Sequence, residues 1–140
     1  MPQPDLFPRG IRNNNPGNIK WSALNQWRGQ VAPDADGFCR FNTMGDGIRA
    51  AFHLMNTYHI KDGCNRLFEY MTRYAPEGEN DLEAYVKDIS QRNGWPETYL
   101  LSVPFDFPRL LWAIFMHENG KEYVKISDIR DAVQIRGLTS

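Results

Sequence analysis

Two cysteines in 140 residues are too few for a disulfide framework, and Cys39 and Cys64 fit neither a CxxC pair nor a metal-ligand spacing. They read as buried thiols or as a single bridge. The histidines are equally sparse: His53, His59 and His117 lie too far apart for HExxH, so no metal and no cofactor are expected. No GxSxG elbow, P-loop or dinucleotide fingerprint occurs, which sets nucleophilic and nucleotide chemistry aside. Charge of one sign is also missing. With 16 basic residues against 17 acidic ones and no basic cluster, the electrostatic footprint of a nucleic-acid binder is absent. No apolar run approaches the roughly 18 residues of a membrane-spanning helix, and the opening MPQPDLFPRG lacks the charged and apolar regions of a signal peptide. The expectation is a soluble chain made in the cytoplasm, with delivery by something else if its substrate lies outside.

What is present is a single domain's worth of chain, long enough to bury about two-thirds of its unfolded surface. Aromatics make up 13% of it, four of them tryptophans. Such rings pack cores and also stack on sugars. Residues 1–10 hold three prolines and a glycine, which predicts an extended surface arm followed by the domain proper over 11–140. The next stretch, GIRNNNPGNIKW, crowds Asn13, Asn14, Asn15 and Asn18 around Pro16-Gly17. Asparagine bonds nearby backbone and tolerates left-handed geometry, so these amides serve a turn, a ligand, or both.

After a DADG turn, GFCRF alternates like a short strand and suggests a small hairpin. Asn42-Thr43 can cap a helix carrying Ile48, Ala51, Phe52, Met55 and Tyr58 on one stripe, ending at Asp62-Gly63. Leu67, Phe68, Met71 and Tyr74 mark a shorter helix closing at Ala75-Pro76. Leu82, Tyr85, Val86 and Ile89 mark a third, opened by Glu79 or Asn80 and stopped by Gly94. Ser127 can cap a last helix ending near Gly137. The predicted fold class is mainly α with a small β-hairpin.

The most informative stretch is FDFPRLLWAIFMHENG, residues 105–120. Asp106 is placed to cap a helix, an apolar run from Leu110 to Met116 follows, and Asn119-Gly120 stops it. Counting back four and seven positions from Glu118 reaches Ile114 and Leu111, so the carboxylate shares a face with residues that belong in a core. Partial desolvation and the negative helix end both disfavour its ionised form. A carboxylic acid that keeps its proton near neutral pH is what glycosidase chemistry needs at a leaving-group oxygen. The plainer reading is a glutamate that snorkels or pairs with an arginine.

The HENG segment with its apolar helix resembles the catalytic stretch of goose-type lysozymes and soluble lytic transglycosylases, where such a helix ends in Glu-Ser-Gly. Other pieces follow in that family's order if the chain is read as a ring. NNNPGNI resembles the turn after the catalytic helix, GFCRF the following strand, GDGIRAAFHLMNTY the long helix, and NDLEAYVKDI the segment that contributes a tyrosine. The departures are Asn119 for the family serine, no glutamine in GFCRF, and Asp81-Leu82-Glu83 in place of Glu-Thr-Arg. RGIRNNNPGNI also resembles the opening of small bacteriophage cell-wall-lytic, virion-associated proteins.

The resemblance implies a circularly permuted lysozyme-like domain, a rearrangement eased by the closeness of domain termini. It implies a peptidoglycan hydrolase, a muramidase or lytic transglycosylase, that cuts the glycan between N-acetylmuramic acid and N-acetylglucosamine with Glu118 as acid and base. Asn13, Asn14, Asn15, Asn18 and Trp21 would line the sugar groove, and Tyr85 would bond near the acid. Asp34, Asp36, Glu79 and Asp81 are the candidates for a second carboxylate, each also a solvated or capping residue. The partner would be bacterial peptidoglycan, reached through a phage tail or virion or a secretion system. A peptidase on the same fold and a wall-binding virion protein are the alternatives.

Overall fold

A computed structural model describes residues 6–75 and 81–134. The proposed second carboxylate Glu79, the Pro76 helix stop and the helix end at Gly137 lie outside the described residues. The chain runs α1 (Arg9–Arg12), β1 (Gln30–Val31), β2 (Arg40–Phe41), α2 (Met44–Asp62), α3 (Leu67–Tyr74), α4 (Leu82–Asn93), α5 (Phe107–Asn119) and α6 (Ile126–Val133). It is a mainly helical domain with one antiparallel hairpin, pairing Gln30 with Phe41 and Val31 with Arg40. No helix among the described residues is long and apolar enough to cross a membrane.

Helix α5 is the hub. Phe107, Leu110, Leu111, Ala113 and Ile114 are all fully buried, and the helix touches α1, α2, α4 and α6. A helix apolar on most sides has to be wrapped by others. Burying a side chain such as Leu111 or Ile114 stabilises by about 1.5–3 kcal/mol, and Leu111→Ala would cost about 2–5 kcal/mol once the cavity is included. Phe107 anchors the hub edge-on to Phe52 of α2 and to Tyr70 of α3, both at 5.6 Å.

The ends of these helices follow their sequence signals in part. Thr43 accepts from the Asp46 amide to open α2, and Gly63, at φ 69°, closes it. Asp81, not Glu79 or Asn80, opens α4 by accepting from the Ala84 amide. Asp106 does not cap α5 with its side chain, because its own backbone is already helical and its carboxylate is turned back to Tyr99 and Ser102. Helix α6 starts one residue before Ser127, with Asp128 accepting from the Lys125 amide. Phe68 of α3 is exposed, so its stripe is narrower than the spacing predicts.

Arg9 and Gly10, expected in the arm, belong to α1, and residues 1–5 lie outside the described residues. Residues 9–12 wind into α1, and Gly10 packs against Asn119 at the end of the hub helix. The strand expected over GFCRF forms only at Arg40–Phe41. Around it, main-chain bonds run from Trp21 to the Gly37 carbonyl, from Cys39 to Ile19, and from Phe41 to Asn13. The segment is thus stitched to the asparagine turn on one side and to β1 on the other. Cys39 and Cys64 are both buried and free, which settles them as thiols.

Candidate functional site

The C-terminal turn of α5, the Pro16–Asn18 turn, α3 and α4 converge on one carboxylate. Glu118 is half-buried; its Oε1 accepts from Asn18 Nδ2 at 2.8 Å and its Oε2 from the Tyr85 hydroxyl at 2.5 Å. Asn18 reaches it because its backbone is left-handed, with φ 52°, a conformation asparagine tolerates better than most residues. Behind that turn the Tyr74 hydroxyl donates to the Gly17 carbonyl at 2.5 Å, an approach no residue with a Cβ would allow at position 17. Burial, and then the negative charge of Glu118, push the Tyr74 and Tyr85 hydroxyls well above the ordinary tyrosine range. Both stay protonated and remain donors.

Glu118 forms part of the wall of a cleft of about 520 Å³. Its other walls include Arg9, Lys20, Asn25, Phe38, Tyr58 and Arg73. Among the described residues lining the cleft, Glu118 is the one carboxylate, faced by three cationic side chains. Arg9 lies over the Phe38 ring at 4.1 Å. A single oriented acid in an open, mixed cleft can exchange a proton with a ligand and stabilise a positive centre beside it.

No family model matches this sequence. Over 125 residues, 87% of this chain and 78% of the relative, it is 35% identical to Protein P5 of Pseudoalteromonas phage PM2. The chain belongs to the Protein P5 family. The family therefore includes a bacteriophage protein, in keeping with the phage likeness of RGIRNNNPGNI.

In this P5-family chain the four turn asparagines divide by task. Asn13 Nδ2 donates to Asp34 Oδ2 at 2.9 Å, and Asn14 Nδ2 donates to the carbonyls of Phe41 and Asn42. Asn15 is fully buried, clamping the Ile19 and Cys39 carbonyls while its Oδ1 accepts from the Ile19 amide. These three are spent on holding the hairpin. Asn18 alone of the four lines the cleft.

The candidate second carboxylates are likewise placed elsewhere. Asp34 Oδ1 accepts from the amides of Asp36 and Phe38. Burial raises the Asp34 carboxyl, but these bonds together with Asn13 and the Arg9 charge hold it below the usual carboxylate range. Asp36 is exposed and pairs with Arg9 at 3.4 Å, and Asp81 is committed to capping α4. Trp21 is half out in solvent, in a neighbouring hollow rather than in the Glu118 cleft.

Other members of the site in this P5 relative carry only faint cues in the sequence. The His117 ring stacks on Tyr85 at 3.7 Å, and its Nδ1 lies 2.8 Å from Asp88 Oδ2. Burial resists ionisation of Asp88, yet bonds from His117 and Arg92 keep its carboxyl low. Asp88 thereby fixes the histidine, and the histidine fixes the tyrosine that grips Glu118. The signal available beforehand was the adjacency of His117 to Glu118. For Tyr74, Arg9 and Arg73 it was only their nearness to the turns on either side.

Proposed function

We propose that this protein cleaves the glycan strand of peptidoglycan, with Glu118 as general acid and base on a circularly permuted lysozyme-like scaffold. The observation that carries this reading is that Glu118, at the end of an apolar hub helix, is gripped by Asn18 and Tyr85 while bordering an open cleft. Proton transfer from the Glu118 carboxyl to the glycosidic oxygen lets the C1–O bond break, with its electron pair leaving on that oxygen. The positive sugar centre is then relieved by the substrate's own acetamido oxygen or by water. The carboxylate recovers a proton from the incoming hydroxyl. A mechanism of this kind needs one carboxylate, and Glu118 is the one among the described residues of the lining.

Arg9, Lys20 and Arg73 suit a polymer carrying carboxylates, as peptidoglycan does. The phage relative supports a chain that a virion or a lysis programme brings to the wall. The test is Glu118→Gln in a gel impregnated with cell walls: clearing drops at least about a hundredfold with the fold intact by circular dichroism. Full clearing by the variant refutes the assignment. Mass spectrometry of wild-type products should find new reducing or anhydro ends; free amino groups without them would make the protein a peptidase. Binding to walls without released fragments would make it a virion adhesion protein.

A further inference from the structure

Asn25 borders the Glu118 cleft and also a second hollow of about 390 Å³, so the two are neighbours across that side chain. Trp21, Ser22, Gln26, Trp27 and Gln30 line the second hollow with it, and none of the described residues lining it is charged. Trp21 is 48% exposed, so much of its indole is open to a ligand. The side-chain amides of Asn25 and Gln26 have no hydrogen-bond partner among the described residues. Gln30 is already engaged, its Oε1 accepting from the Trp27 amide and its Nε2 donating to Cys39 Sγ.

A sugar ring presents an apolar C–H face together with hydroxyl and acetamido groups. An indole face with unengaged amides beside it complements that pattern, since aromatic surface supplies contact and a few polar groups supply orientation. The neutral lining contrasts with the cationic cleft next door. An apolar protein partner would favour an unbroken greasy surface, which the amides interrupt. We propose that the Trp21 hollow is a distal subsite that holds an uncharged N-acetylhexosamine unit of the glycan whose scissile bond lies at Glu118. This rests on the glycan-cleaving reading above.

The test uses the full chain carrying Glu118→Gln, titrated with oligomers of N-acetylglucosamine while intrinsic tryptophan fluorescence is followed. Saturable binding is expected. Trp21→Ala should weaken it about tenfold, equivalent to about 1.4 kcal/mol, and Gln26→Ala, an exposed change, should weaken it in the same direction. Affinity in both variants unchanged from that of the Glu118→Gln parent overturns the subsite. So does a result in which Trp21→Ala alters only the sedimentation of the protein, which would make the patch an interface between copies. In the active chain, Trp21→Ala should lower kcat/KM on long strands more than on short ones. Cleavage with no such length dependence sinks the subsite alone; Trp21-dependent binding with no cleavage by wild type sinks the catalytic reading alone.

Discussion

Asn119 and Pro16 stand 103 residues apart in sequence, yet the Asn119 side-chain amide donates to the Pro16 carbonyl at 2.8 Å. The same nitrogen donates to the Phe115 carbonyl at 2.9 Å, so one buried amide ties the end of the hub helix to the asparagine turn. That tie brings Asn18 within reach of Glu118.

Asn119→Ala therefore leaves the Pro16 carbonyl buried without its partner. A loss of about 1–3 kcal/mol is expected, seen as a fall of roughly 3–10 °C in Tm. Wall-clearing activity should fall further than stability does, because the Gly17–Asn18 turn is released. An unchanged Tm would show that the tie contributes nothing.

Gly10 makes a second demand on the same spot. A Cβ there would stand 2.6 Å from Asn119 Oδ1, 2.8 Å from the Asn15 carbonyl and 3.1 Å from Asn18 Oδ1. Those two side-chain oxygens are buried and without a hydrogen-bond partner among the described residues, a setting suited to weak Cα–H···O contacts from the glycine. Gly10→Ala should cost about 1–3 kcal/mol in denaturant unfolding through overpacking. It should also lower activity by pushing Asn18 off Glu118. An active variant of wild-type stability would contradict this.

Tyr85→Phe removes one of the two donors on Glu118 while keeping the buried ring and its stack on His117. Hydrogen bonds to a charged group contribute about 1.5–3 kcal/mol, so activity should fall roughly 10- to 100-fold while the chain stays folded. His117→Leu, which disturbs the ring behind Tyr85, should give a milder loss. Wall-lysis rates of both variants, compared at equal folded fraction, provide the check.

Alkaline pH tests the buried hydroxyls. Burial, and then the Asp62 charge, raise Tyr58 from 10.0 to about 12, and Tyr74 and Tyr85 are also displaced upward. Because the folded state disfavours the phenolate, the stability these groups contribute is fully present below pH 10 and is lost as pH climbs toward 12. Phenolate absorbance from these rings should appear together with loss of helical signal, not before it. Asp34 and Asp88 act in the opposite sense. Their carboxyls are lowered from 3.8, so their contribution is present above that value and lost as pH falls through the folded-state one.

The sequence was most legible where a local rule sufficed. The stripe on α2 with Thr43 and Gly63 at its ends, and the run from Leu110 to Gly120, need only capping chemistry and a 3.6-residue period. Glu118 stood out because its phase places it with Leu111 and Ile114. The tasks of the asparagines were not legible, since an amide that clamps a carbonyl and one that faces a cleft have the same neighbours in sequence. The hairpin was overdrawn for a related reason. Alternation in GFCRF predicts a strand, but most of its partners come from side chains and from residues 13–21, which no local pattern reveals. The Asp106 cap failed because Tyr99 and Ser102 compete for the same carboxylate.

Glu118 and Asn18 are separated by 100 positions in the chain. At ribosomal speeds of about 5–20 residues per second, the amide emerges on the order of ten seconds before the acid it must meet. A product that stops before position 118 therefore lacks the contact that joins the early turn to the hub helix.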